Sequence, residues 1–67
     1  MRLIKTFTGW NKEARFLQNC SFLREIKRDF SIPHPYDYSN TDTVYNYFGK
    51  EVVLIEVSHR HFHVYEL

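Results

Sequence analysis

Histidine occupies every second position near the end of the chain, at His59, His61 and His63. Alternate side chains of a β-strand share one face, so a single strand here would place the three imidazoles in a row. Such a row could bind a metal, transfer protons or contact phosphate. A turn at His59–Arg60 would break the row, and both readings stay open at this point.

A metal site on this row would need help from elsewhere. Neutral imidazoles ligate Zn²⁺, Ni²⁺ and Cu²⁺, but neighbours on one strand face are ~6.5–7 Å apart at the backbone. A further ligand would therefore have to reach the ion, and the candidates are His34, Asp37 and Glu56. We expect no metal and no cofactor.

The same stretch holds the side-chain types that metal-independent cleavage of RNA requires. Such cleavage needs a base, an acid and a cation that stabilises the phosphorane-like transition state. His59, Arg60, His61, His63 and Tyr65 supply all three types within seven positions.

Residues 51–65 resemble the C-terminal strands of the RelE/ParE toxin superfamily. The shared features are an apolar strand, then His59-Arg60, and then Val64-Tyr65 after a short spacer. The order of strand, helix and antiparallel strands is also similar. The resemblance implies cleavage of messenger RNA, with Arg60, His61 and Tyr65 as the catalytic residues.

The elements that would position these residues begin with a strand over 2–7 and a long helix over 11–30. Asn11 is the expected N-cap, and Glu13 in the first turn suits the helix dipole. Apolar residues recur at helical spacing and predict one buried stripe: Phe16, Leu17, Cys20, Leu23, Ile26 and Phe30.

Beyond the helix, the pattern predicts a loop and then strands. Two prolines make 31–40 an extended linker, and 51–57 and 62–67 are predicted strands. Segment 41–50 fits a strand or a short helix, and its Val, Tyr and Phe content favours the strand. We therefore predict an α+β fold with one long helix packed on a largely antiparallel sheet of three or four strands. The order is β-α-β-β-β, or β-α-α-β-β if the ambiguous segment is helical.

Composition limits the class of protein. Sixty-seven residues predict one domain over 1–67. A single cysteine excludes an internal disulfide, and an aromatic content of 18% argues against disorder. Apolar runs are far shorter than the ~20 residues of a membrane span, and the first residues lack a signal-peptide core. We therefore expect a cytoplasmic protein that does not associate with membranes.

Charge is unevenly distributed along the chain. The net charge is +1, yet residues 1–30 carry seven cations and three acids, whereas residues 31–67 carry two cations and five acids. The low net charge argues against a general nucleic-acid binder, and the asymmetry could orient a partner.

Taken together, these features predict a small protein-binding module. The abundant aromatic residues are of the types that dominate protein interfaces, and the expected form is a viral or mobile-element inhibitor or adaptor that blocks a host protein by occupancy. Tyr36 and Tyr38 in the stiff loop, and Phe22 and Arg15 off the buried stripe, are the expected partner-binding residues. The alternatives are a RelE/ParE-like ribonuclease and a nucleic-acid-binding protein.

Overall fold

The structure is a computed structural model that describes residues 1–32 and 39–67. Its elements, in chain order, are β1 (Arg2–Thr8), α1 (Trp10–Gln18), β2 (Cys20–Lys27), β3 (Thr41–Tyr47), β4 (Lys50–Ser58) and β5 (His61–Glu66). The strands form one antiparallel sheet in the order β1-β5-β4-β3-β2. Because β1 and β2 are the two edges, α1 connects one edge of the sheet to the other.

The predicted helix over 11–30 is wrong, and with it the predicted sheet of three or four strands. Within the described residues the protein has a nine-residue helix and a five-stranded sheet. The helix ends at Gln18 because Asn19 caps it: its backbone N–H donates to the Phe16 carbonyl (3.0 Å), and its side-chain amide donates to the Arg15 carbonyl (3.1 Å).

Residues 20–27 form strand β2 instead of continuing the helix. They pair with β3 from Cys20↔Tyr47 to Lys27↔Thr41, and a bulge between Phe22 and Arg24 shifts the register. The bulge interrupts the alternation of side chains, so the apolar residues do not repeat with a period of two. Three members of the predicted stripe are exposed: Leu17 on α1, Leu23 at the bulge, and Phe30 beyond the end of β2.

The other elements agree more closely with the sequence analysis. The predicted strands over 2–7, 51–57 and 62–67 correspond to β1, β4 and β5, and the ambiguous segment is strand β3. The helix begins at Trp10, and its N-cap is Gly9 instead of Asn11. Gly9 has a φ of 98°, a conformation that glycine adopts without the steric cost of a side chain.

Both faces of the sheet carry apolar side chains. On the face that α1 covers, which we call the helix face, Phe16 packs with Val52 and Val64. On the opposite face, Val44, Val53 and Ile55 form a second buried cluster, against which Ile26, Ile32, Val57 and Tyr65 pack. Burial on both faces explains the near-continuous apolar sequence of β4.

A buried ion pair joins the end of β2 to the start of β3. The Arg28 guanidinium donates to an Asp42 carboxylate oxygen over 3.1 Å, and it also donates to the Thr41 carbonyl over 2.9 Å. Both charged side chains are almost fully buried. Removing one partner from such a pair would leave the other charge buried, which is strongly destabilising.

Helix position and strand β2 can be tested together by two alanine substitutions. Phe16→Ala should lower the free energy of unfolding by about 3–5 kcal/mol, because it leaves a cavity between the helix and the sheet. Leu23→Ala should cost less than about 1 kcal/mol, because Leu23 is exposed on an edge strand. Urea denaturation of both variants measures these values. Equal, large losses would contradict the fold and support a longer helix.

Candidate functional site

Helix α1 divides the helix face of the sheet into two clefts of opposite charge. Phe16 points from α1 onto the sheet, and its ring centroid lies 5.6 Å from that of Phe7 and 4.6 Å from that of Tyr47. Lys12 and Arg15 lie on one side of this contact, and Glu13 and Leu17 lie on the other. The 3.6-residue helical period thus separates cations from acids across a single helix.

The basic cleft, of about 360 Å³, lies between α1 and the edge strand β1. Lys5 comes from β1, Lys12 and Arg15 come from α1, and Phe7, Phe16 and Tyr47 form its floor. Within the described residues no acidic side chain lines this cleft, and none of the three cations takes part in an ion pair. Their charge is therefore available to an anionic ligand.

At one end, the basic cleft continues into an aromatic corner. Lys12 also lines a second hollow, with Trp10 and Arg60. The Arg60 guanidinium lies 4.3 Å from the centre of the Trp10 ring, and the His59 ring meets the indole edge-on at 6.1 Å. Arg60 is held in place because its carbonyl accepts from the Gly9 N–H at 2.8 Å and its own N–H donates to Glu56 at 2.9 Å.

At the other end, the cleft reaches the turn between β3 and β4. Tyr47 pairs with Lys50, so Phe48 and Gly49 form a two-residue turn, and both have positive φ, 50° and 84°. Turns of this kind favour Asn-Gly, because most side chains are strained there. Phe48 packs edge-on against Tyr47 with centroids 4.8 Å apart, yet 72% of its surface is exposed. The basic strip, as we call this surface, comprises Lys5, Lys12, Arg15, Arg60, Trp10, Tyr47 and Phe48.

The acidic cleft, of about 290 Å³, lies on the other side of α1. Glu13 from α1, Glu25 from β2 and Glu56 from β4 line it, together with hydroxyl groups of β3 and the apolar side chains of Leu17, Leu54 and Phe62. Arg28 and Asp42 also line it, but their charges pair with each other. Partial burial raises the pKa of the Glu13 carboxyl above its ordinary value, and the nearby charge of Glu56 raises this pKa further. The cleft would therefore favour a cationic or apolar group over an anion.

The histidine row is broken. His59 lies in the turn beside Trp10, whereas His61 and His63 lie on β5 and face away from α1. The His61 imidazole contacts the Thr8 hydroxyl at 3.2 Å, and the His63 imidazole contacts the Tyr65 hydroxyl at 3.3 Å. Across residues 1–32 and 39–67, no group of three His, Cys, Asp or Glu side chains is placed to hold a metal ion.

Residues implied by the RelE/ParE resemblance are held by separate contacts. The Arg60 guanidinium lies over the Trp10 ring, His61 contacts Thr8, and Tyr65 contacts His63.

The thiol of Cys20 is poorly suited to nucleophilic chemistry. Partial burial raises the pKa of this thiol, which donates to the Phe16 carbonyl over 3.3 Å. A thiol with a raised pKa carries little reactive thiolate.

Of the four residues predicted to bind a partner, two can be located. Tyr36 and Tyr38 lie outside the described residues. Phe22 is exposed, but on strand β2 instead of a helix, and Arg15 lines the basic cleft.

Helix α1, the helix that the structure describes, lacks the length and apolar character needed to cross a membrane.

Sequence reasoning missed most members of the two clefts. The sequence pattern did not indicate Trp10 or Phe48 as functional residues, and the segment 41–50 that contains Phe48 was ambiguous between strand and helix. A Gly preceded by one bulky residue between two apolar strands is the signal that could have located Phe48 at a turn tip.

No protein-family model, no curated protein and no solved structure matches this chain.

The raised pKa of the Glu13 carboxyl, which results first from partial burial and then from the charge of Glu56, predicts a pH-dependent effect of this residue. A carboxyl whose folded-state pKa is raised binds its proton more tightly when folded, so stability falls as the pH rises from 4.5 through the folded-state pKa. Glu13→Gln removes this loss. The melting temperature of the variant relative to wild type should therefore be higher at pH 7 than at pH 4.

The Glu13 pKa can also be measured directly by NMR titration of its side-chain carboxyl. Glu56→Gln should lower this pKa, because it removes the neighbouring charge. A Glu13 pKa at or below 4.5 in the wild-type protein would contradict the described geometry.

Proposed function

We propose that this protein is a small protein-binding module that acts by occupancy, as an inhibitor or adaptor, and binds its partner along strand β2. The observation that carries the proposal is exposed apolar surface. Among the described residues, nine large apolar side chains are exposed and seven are buried. Two of the exposed side chains, Phe22 and Leu23, are neighbours on strand β2, and adjacent exposed apolar side chains support binding.

Strand β2 offers the surface best suited to a partner chain. It is an edge strand that pairs with β3 on one side only in the described part of the chain. Phe22 and Leu23 are exposed on it by 64% and 42% of their surfaces. An extended segment of a partner can add to such an edge through backbone hydrogen bonds, while apolar side chains supply selectivity.

Charge defines the chemistry of the expected partner segment. Glu25 lies on β2 and lines the acidic cleft with Glu13 and Glu56. A strand added beside β2 would bring every second side chain over this cleft, where Lys or Arg would be favoured. We therefore propose an extended partner segment that alternates basic and apolar side chains, and a cytoplasmic location for the complex.

Affinity capture from the source cells, with a matched set of variants, tests the proposal. Phe22→Ser/Leu23→Ser should abolish retention of the partner, because hot-spot truncations cost about 2 kcal/mol or more each. Phe30→Ser is the control, because Phe30 is equally exposed and lies outside β2. Tyr36→Ala/Tyr38→Ala tests the contribution of the loop residues predicted from the sequence.

Hydrogen exchange on the recovered complex tests the mode of binding. Amides of β2 that point away from β3 should exchange more slowly in the complex than in the free protein. If no protein is retained by wild type, or if the β2 variant retains its partner as well as the Phe30→Ser control, the proposal is wrong.

A further inference from the structure

We propose that the basic strip is a binding site for single-stranded nucleic acid. This site lies on the opposite side of α1 from strand β2 and is independent of the proposed protein partner. Four cations supply contacts to phosphates, and aromatic rings at the two ends of the strip supply surfaces on which bases stack. Cations combined with stacking platforms are the general means of binding a single strand without reading its sequence.

The cations are arranged for contact with phosphates. Lys5 from β1 and Lys12 and Arg15 from α1 converge on one cleft, and Lys12 also borders the hollow next to Arg60. In the described residues neither hollow has an acidic lining residue. Glu13 and Glu25 lie beyond α1, and Glu56 borders the strip at its Arg60 end, where its carboxylate accepts from the Arg60 backbone N–H over 2.9 Å. Repulsion from these acids would confine a polyanion to the strip.

The aromatic side chains favour an unpaired strand over a duplex. Trp10 is 54% exposed and the Arg60 guanidinium lies over its ring, so a cation and an indole lie together at the protein surface. Phe48 projects from its turn at the other end of the strip. Bases present their faces to such rings only when they are unpaired and no longer stacked on neighbouring bases.

Backbone strain occurs at both ends of the same strip. Phe48 and Arg60 are the non-glycine residues with positive φ in the described part of the chain, at 50° and 62°. Each such conformation costs of order 1–2 kcal/mol for a residue with a side chain. The two turns lie at opposite ends of β4, whose nine residues span on the order of 25 Å at ~3.2 Å per residue. Strained backbone conformations are concentrated at functional sites, so the strain at Phe48 and Arg60 is consistent with a role of these two side chains in binding a ligand.

Trp10 makes the site directly observable, because it is the only tryptophan of the chain. Titration with oligouridylate or oligothymidylate of about ten nucleotides, near 50 mM salt, should quench Trp10 fluorescence as bases stack against it. Four phosphate contacts predict that log K falls with log salt with a slope of about −2.8, at ~0.7 per contact.

Two pairs of substitutions separate the strip from general charge. Lys12→Ala/Arg15→Ala should weaken binding about 10-fold or more and reduce the salt slope by about 1.4. Arg24→Ala/Lys27→Ala removes the same charge from strand β2, where neither residue lines either hollow, and it should leave affinity within about twofold. Equal weakening by the two pairs would overturn the proposal.

Phe48→Asn distinguishes a binding role from a structural one. Asn suits the positive φ of this turn, so the variant should melt at a higher temperature than wild type. Loss of the stacking ring should nevertheless weaken binding to the oligonucleotide by roughly 5- to 100-fold. Unchanged affinity in this variant would overturn the assignment of Phe48 to the site.

Heparin distinguishes nucleic acid from any polyanion, because it carries charge without bases. It should compete for the cations and leave Trp10 fluorescence largely unquenched. Heparin that quenches Trp10 and binds as tightly as the oligonucleotides would overturn the proposal in favour of a general polyanion surface. Absence of oligonucleotide binding at micromolar protein concentration would also overturn it, and neither result bears on the β2 surface.

Discussion

The packing of Phe16 is the contact on which the rest of the structure depends. Its ring contacts Phe7 on β1 and Tyr47 on β3, and Phe7 in turn stacks on Phe62 of β5 at 5.3 Å. Phe16 is also the buried residue of α1, so a single side chain fixes the helix over the sheet. A nine-residue helix is too short to be stable alone in water and depends on such packing. The two clefts exist because the helix crosses the sheet on this one residue.

The cations in the first thirty residues fall into two groups: some form ion pairs within the protein, and others form a basic surface. Three cations of the first thirty residues pair with acids of the second half: Arg2 with Glu66, Arg24 with Glu51, and Arg28 with Asp42. The exposed pairs contribute little to stability, whereas the buried third pair is expensive to disrupt. Lys5, Lys12 and Arg15 take no part in ion pairs within the described residues, and all three line the same cleft. They therefore produce a basic surface on a protein whose net charge is only +1.

Sequence patterns predicted the strands better than the helix, for a physical reason. Strand β4 has buried side chains on both faces, and strand β5 has buried side chains at alternate positions. The pattern of apolar residues in these two strands therefore follows directly from burial. Residues 20–27 form an edge strand with a bulge, and their apolar positions fit a helical period as well as a strand. Leu, Arg, Glu and Lys are good helix formers, so local propensity favoured the wrong element. Seven cross-strand pairs with β3 outweigh that propensity, and long-range pairing of this kind cannot be read from a local pattern.

The candidate sites were harder to predict because they are assembled from distant parts of the chain. The cleft that holds Lys5, Lys12 and Tyr47 combines β1, α1 and β3, and no spacing in the sequence relates these residues. The histidine repeat, in contrast, was conspicuous in the sequence and is divided by a turn in the structure. Residues that break a local rule were the more informative signal: a phenylalanine precedes Gly49 where Asn is favoured, and an arginine adopts positive φ beside Trp10. Stability alone would select against both residues, so their presence at the two ends of one basic surface supports selection for binding there.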